Sequence, residues 1–289
     1  MADTTKKPTL SFEVFPPNSE VGVEKLTNTL NQLKDLRPEF ISVTCSNHKA
    51  DYEKTTIDLA KYVHNELKLP TMVHMPAAYV NNEQVSRILD QLDELDIHQV
   101  LALRGDIIDG FVPEKDFKYA SDLTKFIKQQ KPNFEVSGAC YPEVHPESAN
   151  RIADIKHLKE KVDAGCDQLI TQLFYDNEQF YRFQEECAIA DINVPILAGI
   201  MPIINRKQAL HVLENCSAHL PKKFLAILDK YKDNPVALKD AGIAYAIDQI
   251  VDLATNDVDG VHIYTMNSAS TAKHIYDNTS AFFQFDTIK

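Results

Sequence analysis

Short apolar runs and amphipathic stretches alternate eight times along this chain, and that rhythm restricts its fold more than any single motif does. The runs are Leu10–Phe15, Phe40–Thr44, Thr71–Met75, Val100–Leu103, Phe134–Cys140, Leu169–Leu173, Pro195–Ile200 and Val258–Thr265. Each is strand-length and apolar-rich: Leu10–Phe15 alternates, while Val100–Leu103 is continuously apolar, the pattern of a strand covered on both faces in a parallel sheet. Between them apolar residues recur at helical spacing, as in Val23, Leu26, Leu30 and Leu33 or Val85, Ile88, Leu89, Leu92 and Leu95. Further helices are predicted over 52–67, 120–129, 149–164, 176–190, 206–216 and 270–278, with two more between 222 and 253. Eight such units, without repeat or polar linker, predict an α/β fold, a (β/α)8 TIM barrel with extra helices before the last strand. One domain is expected over residues 1–289, with 1–8 as a tail. A doubly wound sheet is the runner-up, and it usually shows a Gly-rich first turn.

A barrel of this kind builds its site from the carboxyl ends of its strands. Those ends carry Glu13, Thr44, His74, Arg104 with Asp106, Tyr141, Gln172 and Tyr264. The run Val100-Leu-Ala-Leu-Arg-Gly-Asp106 goes directly from buried strand to charged pair, and its glycine permits a sharp turn or close approach to a ligand. Arg104 and Asp106 either pair with each other on a loop or line a site. Glu13, among Phe12, Val14 and Phe15, is either turned outward and solvated or turned inward, where desolvation raises a carboxyl pKa. His74 is read either as a hydrogen-bonded structural residue or as a ligand. Lys156, Lys159 and Lys161 crowd the end of a helix that Gly165 can cap in the left-handed conformation, and complementing the helix dipole accounts for them.

Composition removes several function classes. Lys and Arg number 30 against 42 Asp and Glu, a net charge of −12, which disfavours nucleic-acid and polybasic membrane-surface binding. The N-terminus lacks the apolar core of a signal peptide and no stretch is long enough to span a bilayer, so a cytoplasmic protein is expected. The five cysteines, Cys45, Cys140, Cys166, Cys187 and Cys216, are widely spaced and read as reduced thiols. The eight glycines form neither a dinucleotide-binding nor a P-loop fingerprint. His-x-His and His-Glu-x-x-His spacings are absent, so no metal is expected, and no strand end offers a clear Schiff-base lysine.

Seven segments together resemble the methylenetetrahydrofolate reductase family: Ser11-Phe-Glu-Val-Phe-Pro-Pro17, Ser42-Val-Thr44, Ala102-Leu-Arg-Gly-Asp106, Tyr119-Ala-Ser-Asp122, Tyr141-Pro-Glu-Val-His-Pro-Glu147, Lys161-Val-Asp-Ala-Gly165 and Ile170-Thr-Gln172. They fall in order over nearly the whole chain, which looks like the short bacterial form without a regulatory domain. The resemblance implies a barrel binding FAD at its mouth and a two-step reaction at one site. NADH or NADPH, NADH being favoured, gives a hydride to the flavin and leaves; 5,10-methylenetetrahydrofolate then takes its place and is reduced to 5-methyltetrahydrofolate, which supplies methyl groups for methionine synthesis.

By the same resemblance Glu13 is the general acid and Asp106 an acid near flavin and pterin. Thr44, Cys45, His74, Arg104, Gly105, Asp106, Tyr119, Ala120, Tyr141, His145, Asp154 and Lys161 align with flavin-binding positions. Asp106, Gln172, Phe180 and Gln208 align with substrate-contacting ones. Cys45 stands where an aromatic is common, Cys166 where alanine is, Val212 for a phenylalanine, Phe180 for a tyrosine and Ser268 for an arginine. These departures bear on substrate affinity and nicotinamide preference. A homo-oligomer is expected. Two other readings remain open: another flavin barrel of the proline dehydrogenase kind, which would show an arginine pair for a carboxylate substrate, and a folate-binding relative that takes electrons from a partner subunit.

Overall fold

The computed structural model describes residues 7–17, 19–45, 52–106, 112–215 and 218–284. The tail expected over 1–8 falls largely at 1–6, and with Cys216 and positions 107–111 of the loop after the fourth strand it lies outside the described residues. Eight parallel strands close into a barrel in sequence order: β1 (Thr9–Val14), β2 (Ile41–Val43), β3 (Thr71–Pro76), β4 (Gln99–Leu103), β5 (Glu135–Cys140), β6 (Gln168–Thr171), β7 (Ile196–Ile200) and β8 (Gly260–Tyr264). The helices between them are α1 (Glu20–Lys34), α2 (Tyr52–Lys61), α3 (Asn82–Glu94), α4 (Ala120–Gln130), α5 (Arg151–Asp163) and α6 (Asn177–Ile189). Three more, α7 (Arg206–Asn215), α8 (Lys222–Lys230) and α9 (Pro235–Thr255), join β7 to β8, and α10 (Ala269–Thr279) follows β8.

Local chemistry sets these boundaries. Ser19 caps α1 by accepting from the Gly22 amide at 3.2 Å, and Asn81 and Gln84 form a reciprocal capping box at the start of α3. Gly165 ends α5 at φ 112°, as its position in the sequence suggests. Elsewhere the left-handed turn before the next strand falls to a polar residue: Arg37, Lys68, Asp96, Asp191 and Asp257 all have φ between 50° and 60°. Each costs about 1 kcal/mol relative to glycine, and this is how the chain turns so often with so few glycines. The helix expected over 52–67 is α-helical only to Lys61 and continues as a turn of π-helix over Tyr62–Glu66. The wider turn keeps both Val63 and Leu67 in the core.

Apolar side chains separate into three layers. The largest lies between strands and helices and includes Leu10, Phe12 and Val14 on the outer face of β1. A small one fills the lower barrel with Phe40, Met72, Leu101, Ile170 and Leu197. The third, near the carboxyl ends of β6 and β7, gathers Leu173, Tyr175, Met201, Val212 and Phe224, and it seats α7 and α8. Phe224 stacks on Tyr175 with centroids 5.5 Å apart and tilts against Tyr245 of α9 at 4.7 Å.

Helix α9 docks closely on the segment after β7, because a Cβ at Gly242 would lie 1.8 Å from the Ile203 carbonyl oxygen. Gly242→Ala gains about 1 kcal/mol of helix propensity but forces backbone apart, which costs roughly 1–3 kcal/mol or more. The expected outcome is a net loss of about 1–2 kcal/mol in urea unfolding. An unchanged or raised midpoint would contradict this docking.

Candidate active site

Alternation along β1 turns Leu10, Phe12 and Val14 out and leaves Ser11 and Glu13 on the inner face. Pairing then decides their neighbours. Ser11 lies opposite His262 of β8, while Glu13 lies opposite Ser42 of β2 on one side and Tyr264 of β8 on the other. The wholly buried His262 bridges three strands: its Nδ1 is 2.7 Å from Ser11 Oγ and its Nε2 3.2 Å from Ser42 Oγ. Its ring stacks on Phe40, at the top of the apolar floor, with centroids 5.7 Å apart.

Above it, Glu13 Oε2 is 3.6 Å from His74 Nε2 and 3.9 Å from His262 Nε2. The Glu13 side chain is 20% exposed, so the carboxyl lies inside the barrel yet within reach of the mouth. Across the barrel the Tyr264 hydroxyl donates to the Thr171 carbonyl at 2.6 Å, and the Gly199 amide donates to Thr171 Oγ1 at 2.8 Å. A Cβ at Gly199 would lie 2.3 Å from that carbonyl oxygen, so only glycine lets β7 approach. Burial drives the His74 pKa down to about 4, against the opposing pull of Glu13, so this imidazole is neutral at neutral pH.

The rim carries the next group. Arg104, at the end of β4, forms a two-pronged pair with Glu147 of the β5–α5 loop, with Nη2 2.8 Å from Oε1. The Glu147 hydrogen bond holds the guanidinium pKa above its ordinary value. Gly105 has φ 86° and packs against Pro76, where a Cβ would sit 2.9 Å from the proline Cβ. Asp106 is exposed at the mouth, and its carbonyl accepts from the Tyr79 hydroxyl at 3.3 Å. Thr44 is half-buried, and its amide donates to the Val14 carbonyl at 3.0 Å. Burial pushes the Cys45 thiol up to about 11, with Asp106 and Glu13 adding to the effect, so it stays protonated. Tyr141 meets His145 edge to face at 4.5 Å; burial raises the phenol to about 12 and lowers the imidazole. Tyr119 is exposed at the start of α4, with Ala120 buried behind it.

Other residues expected at the site serve the scaffold. Both carboxylate oxygens of Asp154 are engaged by the β5–α5 loop, from Ser148 Oγ at 2.8 Å and the His145 amide at 3.3 Å. Lys161 donates its ammonium to the Ala139 carbonyl of β5, and burial lowers its pKa. Phe180 presents no surface to the mouth: it is fully buried and stacked on Phe174 with centroids 5.3 Å apart. Gln208 Oε1 accepts from the Ile204 amide at 2.9 Å, and Gln172, exposed at the end of β6, bonds the next amide through Oε1 at 2.9 Å. Val212 is buried in the apolar cluster under α7. Ser268 stands at the N-cap of α10 with its Oγ 2.9 Å from Thr271 Oγ1. Burial raises the Cys166 and Cys187 thiols to about 12, as expected of small core residues.

Sequence reasoning missed Ser11, Ser42, His262 and Glu147 as participants. For the first three the signal was present: Ser11/Glu13, Ser42/Thr44 and His262/Tyr264 are polar pairs two residues apart in otherwise apolar strands, which marks an inward polar face. Glu147 gave no local signal, since its pairing with Arg104 depends on where the β5–α5 loop returns. Among the described residues no group of three or more His, Cys, Asp or Glu could hold a metal ion, and no helix is long and apolar enough to cross a membrane.

The burial of His74 predicts an acid sensitivity. Below pH 6.5 the unfolded chain takes up a proton at this residue, and the folded chain does not until about pH 4, so acidification favours unfolding. The loss between pH 7 and pH 5 amounts to about 2 kcal/mol. His74→Gln should remove that share of the pH dependence in urea titrations at the two pH values; an unchanged dependence would contradict a buried neutral imidazole.

Comparison with known proteins agrees with this architecture. The family model described as methylenetetrahydrofolate reductase matches residues 1–280. The 5,10-methylenetetrahydrofolate reductase of Escherichia coli (strain K12) is 33% identical over 269 residues, covering 93% of this chain and 90% of the relative. Methylenetetrahydrofolate reductase (NADH) 1 of Arabidopsis thaliana is 35% identical over 284 residues, but this chain spans only 48% of that longer protein. Among solved structures, an uncharacterized Clostridium thermocellum protein that binds two copies of 5-methyl-5,6,7,8-tetrahydrofolic acid matches with a TM-score of 0.67 at 13% identity, covering 94% of this chain and 96% of that one, a likeness of fold. With the family model matching residues 1–280 of the chain's 289, and a bacterial relative matched over nine-tenths of its own length, this chain belongs to the methylenetetrahydrofolate reductase family.

Proposed function

We propose that this chain reduces 5,10-methylenetetrahydrofolate to 5-methyltetrahydrofolate with NADH or NADPH as donor, in two half-reactions that use the barrel mouth in turn. The observation that carries the reading is Glu13, a carboxyl held among two imidazoles at the base of the mouth and still reachable from it. The family relatives support the choice of substrate, and a structural neighbour of the same fold binds a methylated tetrahydrofolate.

The residues present fit FAD by the chemistry of their donors. The rim offers a guanidinium at Arg104, phenols at Tyr119 and Tyr141, an imidazole at His145 and a hydroxyl at Thr44. Gly105 puts no side chain between its backbone and the mouth, Ala120 backs Tyr119 from within α4, and Cys45 and His74 stand nearer the base. Asp154 and Lys161 act one step back, the first by shaping the β5–α5 loop and the second by placing a cation behind β5. When bound, the flavin supplies a carrier that accepts a hydride from the nicotinamide and gives it to the folate.

The chain's own residues do the rest. Glu13 donates a proton to N10 of the folate, which opens the five-membered ring to a reactive iminium and leaves a carboxylate beside His74 and His262. Asp106, exposed at the mouth, holds the amino-pyrimidine edge of the pterin by charge-assisted hydrogen bonds. Gln172, at the end of β6, offers a carboxamide to the same ring. Gln208 and Phe180 support the folate side from behind, through the turn before α7 and the core under α6.

This division of labour predicts a split phenotype. Glu13→Gln should leave flavin reduction by NADH within about twofold of normal and slow folate reduction by 10²-fold or more, the usual scale of a lost general acid. Stopped-flow absorbance of each half-reaction measures both. Equal loss in both would count against the role given to Glu13, and failure of the unaltered protein to oxidise NADH would favour a folate-binding relative that takes electrons from a partner.

A further inference from the structure

His262 lies beneath the reacting groups, wholly buried, and neither the motifs nor the proposed chemistry gives it a task. Among the described residues, polar and aromatic groups face it from four strands. Ser11 and Glu13 approach from β1, Ser42 from β2 with Phe40 below, His74 from β3, and Tyr264 from β8 itself, edge-on at 5.5 Å. Glu13 is the acid in this set and His74 is neutral. The shortest contact is Ser11 Oγ to Nδ1 at 2.7 Å, whereas Nε2 faces Ser42 Oγ at 3.2 Å and Glu13 Oε2 at 3.9 Å. The Ser11 hydroxyl has a second acceptor, the Val261 carbonyl, but at 3.4 Å that contact is much the longer. Electrostatics favours the imidazole proton on the side of the carboxylate, which has Ser11 donating to Nδ1 and the Nε2–H pointing toward Ser42 and Glu13.

We infer that His262 is the positioning residue for Glu13: Ser11 and Ser42 clamp its imidazole with Nε2–H toward the carboxyl, which steadies the carboxylate left after proton transfer and keeps it aimed at the mouth. This rests on the proposed function for its kinetic consequence and on geometry alone for its tautomer. Register makes the arrangement specific. Ser11 and His262 are direct cross-strand partners, as are Glu13 and Ser42, so β1, β2 and β8 each contribute to one cluster. A polar group this deep is retained at a cost unless its hydrogen bonds are met, and the two serines meet both ring nitrogens.

Two substitutions separate the positioning role from a structural one. The amide nitrogen of His262→Gln reproduces the Nε2 donor, whereas His262→Asn is too short to do so. In the flavin-loaded full chain, both should reduce flavin with NADH within about twofold of the unaltered protein. His262→Asn should slow folate reduction at least about tenfold and move the alkaline limb of its pH profile upward by about half a unit or more, because a carboxylate that loses the N–H dipole directed at it from 3.9 Å holds its proton longer. His262→Gln should restore both. In a Glu13→Gln background the Asn substitution should add little further loss.

The second readout needs no activity. Histidine-selective 15N NMR of the full chain, with His262 identified by its loss in His262→Gln, should show the proton on Nε2. A proton on Nδ1, or a pH profile and rate unmoved in His262→Asn, would overturn the inference. Absent folate reduction in the unaltered protein would instead overturn the proposed function, with the tautomer still deciding the geometry.

Discussion

Closure of the barrel between its first and last strands is the constraint on which the rest depends. β1 pairs with β8 from Thr9↔Gly260 to Glu13↔Tyr264, and at Gly260 the strands pack closely enough that a Cβ would come within 2.4 Å of Thr9 Oγ1. A slip of one residue would exchange the two faces of β1. It would put Phe12 and Val14 inside the barrel and expel Ser11 and Glu13. The outer apolar layer and the inner polar cluster are therefore two consequences of one register.

That register divides the barrel interior by height. The floor is apolar, built on Phe40, Met72, Leu101, Ile170 and Leu197, and supplies ordinary hydrophobic stabilisation. Above it sit Ser11, Ser42, His262, His74 and Glu13, whose burial is tolerated because most of their polar atoms face one another. The rim is different again. Arg104 and Glu147 are 31% and 62% exposed, so their pair adds little stability, but it ties β4 to the β5–α5 loop and fixes a cation at the mouth. Apolar packing is concentrated in the lower and outer layers and the polar groups in the upper one, which allows a carboxyl and two imidazoles to occupy the interior.

Much of this was legible from the sequence because strands buried on both faces announce themselves as apolar runs, and the helices between them carry clear 3.6-residue stripes. The eight strands and the helices between the last two follow from that alone. The π-turn after Lys61 did not, because a single extra residue leaves the apolar spacing nearly intact. At the site, period-two alternation shows that Glu13 shares a face with Ser11, yet only the fold can show that this face meets His262 from the far end of the chain. Phe180 aligns with a substrate-contacting position, yet the helical face it occupies turns its ring onto Phe174 and away from solvent, which only the packing of α6 can show. Lys161 and Asp154 carry charges suited to a ligand and spend them on the β5 backbone and the following loop.

The most direct test of the account is an anaerobic visible spectrum of the purified full chain supplied with FAD, taken before and after NADH and again after 5,10-methylenetetrahydrofolate. If one mouth serves both half-reactions as proposed, the flavin band is bleached by NADH and restored by the folate. A band that NADH leaves unchanged, or one that stays bleached when the folate is added, would contradict the account.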